Sequence, residues 1–381
     1  MDCARGDWFF NGPCARMNWY VRLEATALER YEKLTDLLPG KEAEAAIVLR
    51  PENMRWLSGY TGEGCLFVCE KARVIVTDFR YTEMAERQAP GFRVEMTTAQ
   101  RTGPAVCAEL MEEFSLSSAA TETDYVTHDS FVALERALSG KKLLSMTGTV
   151  EKLREIKDEG ELSAIRESAR IACKAFENLL GWVKVGMTEK EIQIGLDYEM
   201  LKLGSERNAF DTIACAGVNG SLPHAVPSDH RVQNSELLTL DFGATTRGYL
   251  SDMTRTIGFG RIDGELRRIY QAVLDAQLLC LDAIAPGKVC GEIDKIARDF
   301  LDAKYPGRFG HGLGHGVGLF IHEGPRFSRG SETVLEPGHV LTVEPGLYIP
   351  GLGGCRIEDM VLITQDGYVD PIDAPKRLIE L

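Results

Sequence analysis

Residues 237–256 read LLTLDFGATTRGYLSDMTRT, two apolar runs joined by a short polar stretch without a helix signal. This pattern predicts a tight antiparallel hairpin. A turn centred between Thr246 and Arg247 would place Asp241 directly opposite Asp252. Opposed residues have Cβ atoms roughly 4.5–5.5 Å apart, and two like charges at that distance inside buried strands repel each other. The hairpin therefore requires a shared proton or a bridging cation.

A second segment, about a hundred residues further along, repeats this arrangement. The stretches VLTVEPG at 340–346 and CRIED at 355–359 again carry one acid in each strand, Glu344 and Glu358. The register of this hairpin stays open, because the expected loop does not centre on their midpoint. A bulge at Pro345 would absorb the difference. The repetition favours a cation over a shared proton in both hairpins.

A glycine-rich segment supplies histidine close to the second hairpin in sequence. The chain has 7 histidines, and three of them, His311, His315 and His322, lie within FGHGLGHGVGLFIHE at 309–323. The segment fits neither a phosphate-binding loop nor HExxH, so its glycines are better explained by close approach of backbone and ligand. Four carboxylates with a neutral histidine carry four negative charges, which two divalent ions balance. Such mixed ligands suit Mn, Co, Fe or Zn rather than calcium.

The surrounding patterns divide the chain into two domains. From about 20 to 145, short β-rich runs alternate with helical ones, which predicts a compact α/β domain. A polar stretch near 139–160 follows, and the apolar period then changes. We predict a tail over 1–18, an α/β N-terminal domain over 19–147 and an α+β domain over 148–381.

The second domain shows a weak internal repeat, in which two helices are followed by strands, twice. Its predicted helices cover about 162–183, 188–204, 264–285 and 291–304, and its predicted strands cover 211–217, 237–243, 249–259, 314–321, 339–349 and 355–364.

The composition excludes several classes of function. A net charge of −14 would repel a phosphate backbone, so we expect no nucleic-acid partner. No apolar stretch approaches the roughly 18 residues that span a bilayer, and the chain begins without an apolar signal run, which favours a cytoplasmic protein without a membrane partner. The 10 cysteines are scattered without a CxxC pair, so we expect reduced, buried thiols.

Several stretches resemble the prolidase, aminopeptidase P and creatinase group, the pita-bread metallopeptidases. They are FDTI (210–213), SLPHAVP (221–227), LDFG (240–243), SDMTRT (251–256), GLGHGVG (312–318), VEPG (343–346) and RIED (356–359). In the first domain, PENMRWLSGY at 51–60 and TDFRY at 77–81 are similar to the creatinase-like N-terminal domain. The resemblance implies an α/β N-terminal domain followed by an α+β catalytic domain, with two αα-ββ repeats around a curved antiparallel sheet.

The resemblance also implies roles for individual residues. Two divalent ions, with Mn favoured and Co, Zn or Fe as alternatives, would be bound by Asp241, Asp252, His315, Glu344 and Glu358. Asp252 and Glu358 would bridge them. The positions matching residues that support the metal ligands or contact the substrate in the family are His224, His311, His322 and Arg356. The family's substrates carry proline second from the amino end, and the relatives are commonly homodimers, which we expect here.

These roles lead to an expected mechanism for Xaa-Pro hydrolysis. Glu344 would take the proton of the attacking water and pass it to the leaving prolyl nitrogen. His322 and His224 would stabilise the oxyanion or orient the substrate. For Arg356, an ion pair with a ligand carboxylate and a contact with substrate stay equally open. Whether the enzyme is an Xaa-Pro aminopeptidase or an Xaa-Pro dipeptidase is also left open by the sequence.

Other functions are possible on the same fold. A non-catalytic binding protein would be expected to lose ligands, and a creatinase-like C–N hydrolase works without the metals, so the intact ligand set argues against both. Methionine aminopeptidases share the ligands but as a rule lack an N-terminal domain of this length. One departure from the family is Phe320, where many relatives carry an acid before His322. We expect altered packing or substrate preference there.

Overall fold

The computed structural model describes residues 28–381, so the predicted tail over 1–18 lies outside the described residues. The chain divides into two compact units, of which the first ends at Leu153 and the second begins at Arg154. None of the helices within the described range is long and apolar enough to cross a membrane. The 8 cysteines of this range are free and buried, as the sequence predicts.

A six-stranded mixed sheet forms the centre of the first unit, in the order β4-β3-β2-β1-β5-β6. Its strands are β1 (Ala45–Val48), β2 (Cys65–Cys69), β3 (Ala72–Thr77), β4 (Arg93–Met96), β5 (Ser118–Thr121) and β6 (Lys142–Ser145). Its helices are α1 (28–37), α2 (Pro51–Ser58), α3 (Thr82–Gln88), α4 (Gly103–Glu113), α5 (His128–Ala137) and α6 (Thr149–Arg154). The predicted α/β class of this unit is confirmed.

Two strands of this sheet, β5 and β6, are not among the β-rich runs of the sequence. β5 is the small-residue stretch SAAT, fully buried, and β6 lies inside the polar stretch near 139–160. Both have only four residues. A strand this short, without alternation of apolar and polar residues, carries no periodic signal, and only its pairing with neighbours identifies it.

The second unit contains two helix pairs and their strands, as the predicted repeat requires. The helices are α7 (Glu159–Leu180), α8 (Glu189–Lys202), α9 (Gly264–Ala283) and α10 (Cys290–Asp302). The strands are β7 (Ile213–Ala216), β8 (Leu237–Phe242), β9 (Thr245–Thr246), β10 (Tyr249–Leu250), β11 (Met253–Gly258), β12 (Gly314–Gly316), β13 (Glu323–Phe327), β14 (Val340–Val343), β15 (Gly346–Ile349), β16 (Gly353–Arg356), β17 (Asp359–Ile363) and β18 (Tyr368–Val369).

The strands of the second repeat are buried on both faces. Val340 and Met360 belong to the core that contains the apolar residues of α7 and α8, whereas the next residues along the strands, Leu341 and Val361, belong to the core of α9 and α10. Successive side chains of a strand point to opposite faces, so each helix pair covers one face. This explains why β14 and β17 read as unbroken apolar runs rather than alternating ones.

The first hairpin forms, but its predicted register was wrong. β8 and β11 pair with Asp241 opposite Thr254, not opposite Asp252. The turn is centred on Arg247 and Gly248, whose φ angles are 49° and 74°. Two positive φ angles are typical of the two-residue turn that matches the twist of the strands. Because alternate residues share a face, Asp252 still lies on the side of Asp241, just outside the ladder.

In the second hairpin, β14 pairs with β17 and β15 pairs with β16 in one unbroken register. This common register on both sides of Pro345 replaces the bulge that the sequence suggested there. Pairing is interrupted where Glu344 and Glu358 lie, at matched positions. Their backbone N–H groups instead donate to other segments, that of Glu344 to Leu313 O at 2.8 Å and that of Glu358 to Thr254 O at 3.1 Å.

Candidate metal centre

The five predicted ligands lie close together in the second unit, towards the turn of the first hairpin and at the interruption of pairing in the second. Ligand atoms of Asp252, His315 and Glu358 all lie within 4.8 Å of one another. His315 Nε2 lies 3.6 Å from Asp252 Oδ2 and 3.3 Å from Glu344 Oε1. Asp241 is close enough to raise the pKa of Asp252 electrostatically. Pairing of strands far apart in sequence therefore assembles one cluster.

Glycines flank His315 because its strand runs close to two others. A Cβ on Gly314 would lie 2.0 Å from Thr342 O, and a Cβ on Gly316 would lie 2.1 Å from Gly324 O. Only a residue without a side chain fits at either position. β12 is shorter than the predicted strand over 314–321, and its register with β13 shifts between His315 and Gly316.

The cluster is buried and has unsatisfied acceptors. Asp252 is 4% exposed, Glu358 1% and His315 8%. Asp241 Oδ1 and Glu358 Oε1 are buried without a hydrogen-bond partner. A buried, unpaired carboxylate oxygen is costly unless a proton or a cation meets it, so these two atoms fit the role of metal ligands.

The electrostatics of the acids favour the same interpretation. Burial, followed by the charges of neighbouring carboxylates, raises the pKa of Asp252 and of Glu358 well above the ordinary value. Burial raises the pKa of Glu344 to about 8, with Asp241 adding to the rise and Arg356 opposing it. Within residues 28–381, the guanidinium of Arg356 opposes the rise for Asp252 and Glu344 but does not outweigh it. Divalent cations would supply the positive charge that these acids need.

His315 is suited to be the nitrogen ligand. Burial, followed by the neighbouring His322, lowers its pKa to about 3, so the imidazole is neutral at pH 7. Its Nδ1 lies 3.1 Å from Gly316 O, where it donates a hydrogen bond. That bond fixes the tautomer and leaves the Nε2 lone pair directed at the acids. Carboxylates with a neutral imidazole fit a divalent transition metal.

Arg356 is 4% exposed and forms an ion pair with a predicted ligand. Its Nη2 lies 2.6 Å from Asp241 Oδ2. Its Nη1 donates to the hydroxyl of Tyr348 at 2.7 Å, and its Nε donates to Thr254 Oγ1 at 3.1 Å. Thr254 in turn donates to Glu358 Oε2 at 2.6 Å. Of the two roles left open for Arg356, the ion pair is present.

Tyr348 is a residue of this network that the sequence analysis missed. Besides Arg356, its hydroxyl contacts His311 Nε2 at 3.1 Å. His311 is engaged at both ring nitrogens, since its Nδ1 lies 2.8 Å from Gly312 O, and burial lowers its pKa to about 4. The sequence around Tyr348 has no periodic signal that indicates a role in the site. Its place in β15, four residues after Glu344, is the feature that could have indicated one.

His224 and His322 are exposed and lie beside the buried cluster. The ring of His322 lies 4.5 Å from that of His315, edge to face. Burial, then Arg326 and His224, lower the pKa of His322. Of the predicted histidines, these two are therefore the ones that a substrate at the cluster can reach.

Arg326 was also missed by the sequence analysis. It pairs directly with His315 across β12 and β13, and its side chain is exposed. Within 28–381, no carboxylate forms a salt bridge with its guanidinium, which donates only to His322 O at a long 3.4 Å. The stretch GPRF at 324–327 has no pattern that links Arg326 to the site, and strand pairing alone brings it there.

Comparison with known proteins agrees with this arrangement. Residues 163–365 match metallopeptidase family M24, and residues 30–156 match the Creatinase/Prolidase N-terminal domain. An uncharacterized peptidase of Bacillus subtilis, YqhT, is 38% identical over 92% of this chain and 100% of its own. An Xaa-Pro dipeptidase of Pyrococcus furiosus is 35% identical over 89% of this chain and 96% of its own.

Two solved structures are similar over nearly the whole chain. An Xaa-Pro dipeptidase from Bacillus anthracis superposes with a TM-score of 0.90 at 37% identity, covering 93% of this chain and 100% of that one. An X-Pro aminopeptidase from Thermotoga maritima superposes with a TM-score of 0.84 at 31% identity, covering 90% and 99%. The chain therefore belongs to metallopeptidase family M24 and carries its catalytic fold behind a creatinase-type N-terminal domain.

Proposed function

We propose that the protein is an Xaa-Pro dipeptidase that requires two divalent metal ions. The observation that carries the proposal is the buried acid cluster with its two unpaired carboxylate oxygens. The ions would be held by Asp241, Asp252, His315, Glu344 and Glu358. When bound, such ions polarise the substrate carbonyl and lower the pKa of water. Mn is the favoured metal.

Glu344 is the proposed general base. Its Oε1 accepts a hydrogen bond from Thr342 Oγ1 at 3.2 Å, which fixes the carboxylate beside His315. Glu344 accepts the proton of the attacking water while the water oxygen bonds to the carbonyl carbon before proline. It then gives that proton to the prolyl nitrogen as the C–N bond breaks. Exposed His322 and His224 donate to the carbonyl oxygen as it gains negative charge.

Arg326 supports a free dipeptide as the substrate. In Xaa-Pro the terminal carboxylate lies directly after the proline, one residue from the bond that is cut. A guanidinium without an acidic partner beside His315 and His322 suits that carboxylate. A longer peptide has a neutral amide at this position and would leave the guanidinium unpaired.

The first test restores Mn, Co or Zn separately to chelator-treated protein and measures cleavage of an Xaa-Pro dipeptide, its C-terminal amide and an Xaa-Pro-Yaa peptide. We expect Mn-dependent cleavage with the dipeptide preferred. Binding without cleavage of any of the three would contradict the hydrolase and favour a binding protein. The expected homodimer and the cytoplasmic location stay predictions, and sedimentation of the purified protein tests the former.

The second test uses Arg326→Gln, with the exposed Arg329→Gln as the matched control. Loss of a charge-assisted bond should lower kcat/KM for the dipeptide by about 10- to 100-fold and that for its amide much less. Arg329→Gln should leave both values unchanged. An equal loss of kcat/KM for the dipeptide and for its amide would show that Arg326 does not recognise the substrate carboxylate.

A further inference from the structure

Glu189, the first residue of α8, has a fully buried carboxylate, at 0% exposure. Its Oε1 accepts a hydrogen bond from Ala216 N at 2.6 Å. Its Oε2 accepts from Ser228 N at 2.9 Å and from Ser228 Oγ at 2.7 Å. Asn219 Nδ2 lies 3.2 Å from Oε1 and 3.1 Å from Oε2. All of these donors are neutral.

These donors lie at the two ends of one segment. Ala216 and Asn219 precede its exposed centre, and Ser228 follows it. His224 lies at that centre, between Leu222 and Val226, which are 59% and 81% exposed. Ala225 and Pro227 of this centre are buried, whereas the side chains of Leu222, His224 and Val226 are exposed, so packing contributes little to the placement of these three side chains. The ends are held by one carboxylate on α8.

A second contact links the same segment to the candidate metal centre. Arg356, which pairs with Asp241, also donates through Nη1 to Pro223 O at 3.2 Å. The backbone immediately before His224 is therefore tied to the predicted ligands, while its flanks are tied to Glu189. Together these contacts hold the backbone that carries His224.

Full burial of a carboxylate is costly, and neutral donors compensate only part of the cost. A glutamine at 189 would place an amide N–H group against one of the N–H donors, so it cannot satisfy both ends of the segment. The carboxylate is thus required by the segment, since it can accept several bonds at once and donates none.

We propose that Glu189 is a positioning residue for His224, and that it sets the geometry with which His224 reaches the substrate. The inference rests on the proposed function. It predicts that loss of Glu189 acts on the reaction through His224 and leaves the metal ligands unaffected.

The test is a double-mutant cycle on the Mn-loaded protein with Glu189→Gln, His224→Ala and the combined variant. Misplacement of a catalytic group by a fraction of an ångström to 1 Å costs up to about 100-fold, so we expect Glu189→Gln to lower kcat/KM by about 10- to 100-fold. The combined variant should be no slower than His224→Ala alone, because the two changes act on one group. The rise in melting temperature on Mn addition should match that of the wild type.

Glu161→Gln is the matched control. Glu161 is also a buried acid near a helix start, and it accepts from Asp158 N and Tyr249 OH, away from the segment of His224. It should lower stability while kcat/KM stays unchanged. Additive losses in the cycle, or wild-type kcat/KM in Glu189→Gln, would overturn the proposal.

A readout independent of turnover separates this proposal from the proposed function. The imidazole NMR signal of His224, assigned by its loss in His224→Ala, should shift or broaden in Glu189→Gln and not in Glu161→Gln. An unchanged signal would overturn the positioning role even if the wild type were inactive. Should Glu189→Gln fail to fold, Ser228→Ala, which removes one donor, is measured in the same way with the same two outcomes. An inactive wild type with a shifted signal would overturn only the proposed reaction.

Discussion

The candidate metal centre and the group of charges around Glu323 are buried charge clusters of the second unit, and they differ in the number of cations beside each acid. In the candidate metal centre, one guanidinium, that of Arg356, pairs with Asp241 at 2.6 Å. In the other cluster a single acid, Glu323, pairs with Arg154 and with Lys157, whose Nζ lies 3.3 Å from Oε2. The acids that share the first cluster are Asp241, Asp252, Glu344 and Glu358.

The pKa values follow this difference in charge. Burial would raise the pKa of Glu323, but the charges of Lys157 and Arg154 outweigh it and lower the pKa below its ordinary value. Burial and mutual repulsion raise the pKa of Asp252 and Glu358 instead. The pKa values of these buried acids are thus shifted in opposite directions. Glu323 has its cations in the fold and is structural, whereas the four acids of the candidate metal centre repel one another and need further positive charge, which divalent ions would supply.

The substitution with the largest expected effect is Asp252→Asn, in the candidate metal centre. It removes a charge that the ions need, so we expect kcat/KM to fall by about a thousandfold or more, with loss of bound metal. The metal-free variant should be at least as stable as the metal-free wild type, because repulsion is relieved. Metal content, turnover and thermal melts measure the three effects. Full turnover with full metal content would show that Asp252 is not a ligand.

Glu323→Gln tests the other cluster, in which the acid is paired with cations of the protein. It leaves Arg154 and Lys157 buried without their acid, which should cost about 3–5 kcal/mol of unfolding free energy. Urea unfolding measures this, with the exposed Glu177→Gln as a control expected to change it by less than about 0.5 kcal/mol. A loss no larger than that of the control would remove the distinction between the two clusters.

The stability of the metal-free protein should depend on pH through Glu344. The pKa of Glu344 is raised to about 8 in the folded protein, against about 4.3 in an unfolded chain. A raised folded-state pKa gives stability that is complete below the unfolded value and is lost as the pH rises through the folded one. Metal-free protein should therefore lose stability progressively from about pH 4 to about pH 8 and level off above that, and stabilisation by Mn should grow over this range.

Thermal melts with and without Mn check this dependence. Metal-free Glu344→Gln should show a smaller decline over the same pH range, because the titrating group is absent. A metal-free wild type whose melting temperature does not fall over this range would contradict the assigned pKa direction.

The smallest expected effect is that of Tyr348→Phe. The hydroxyl joins Arg356 to His311, so its loss removes a neutral link without changing the charge of either cluster. One lost hydrogen bond is worth about 1 kcal/mol, so kcat/KM should fall by about 3- to 10-fold with metal affinity retained. Loss of bound Mn in this variant would instead assign Tyr348 a role in holding Asp241 through Arg356.

Much of the second unit was predictable from local patterns. The helix pairs, the two hairpins and the acids that they carry are encoded in short runs, since periodicity and turn residues act over a few positions. The convergence of Asp252, His315 and Glu358 agrees with the ligand set implied by the resemblance. The cation site was predicted from a register that was wrong, but Asp252 lies on the same face as Asp241 in the observed register too, so the two acids still come close together.

The register of the first hairpin and the positions of the charged residues around the site could be seen only in the folded structure. The register that sets Asp241 opposite Thr254 depends on positive φ angles at Arg247 and Gly248, and the sequence favours a glycine turn without fixing its centre. Arg326 beside His315, and the cations beside Glu323, come from segments brought together by folding. Apolar periodicity is a property of neighbouring residues in the sequence, whereas ion pairs form between segments that are distant in sequence. Local sequence patterns therefore indicated which acids the two hairpins carry, and folding set how much positive charge lies beside each buried acid.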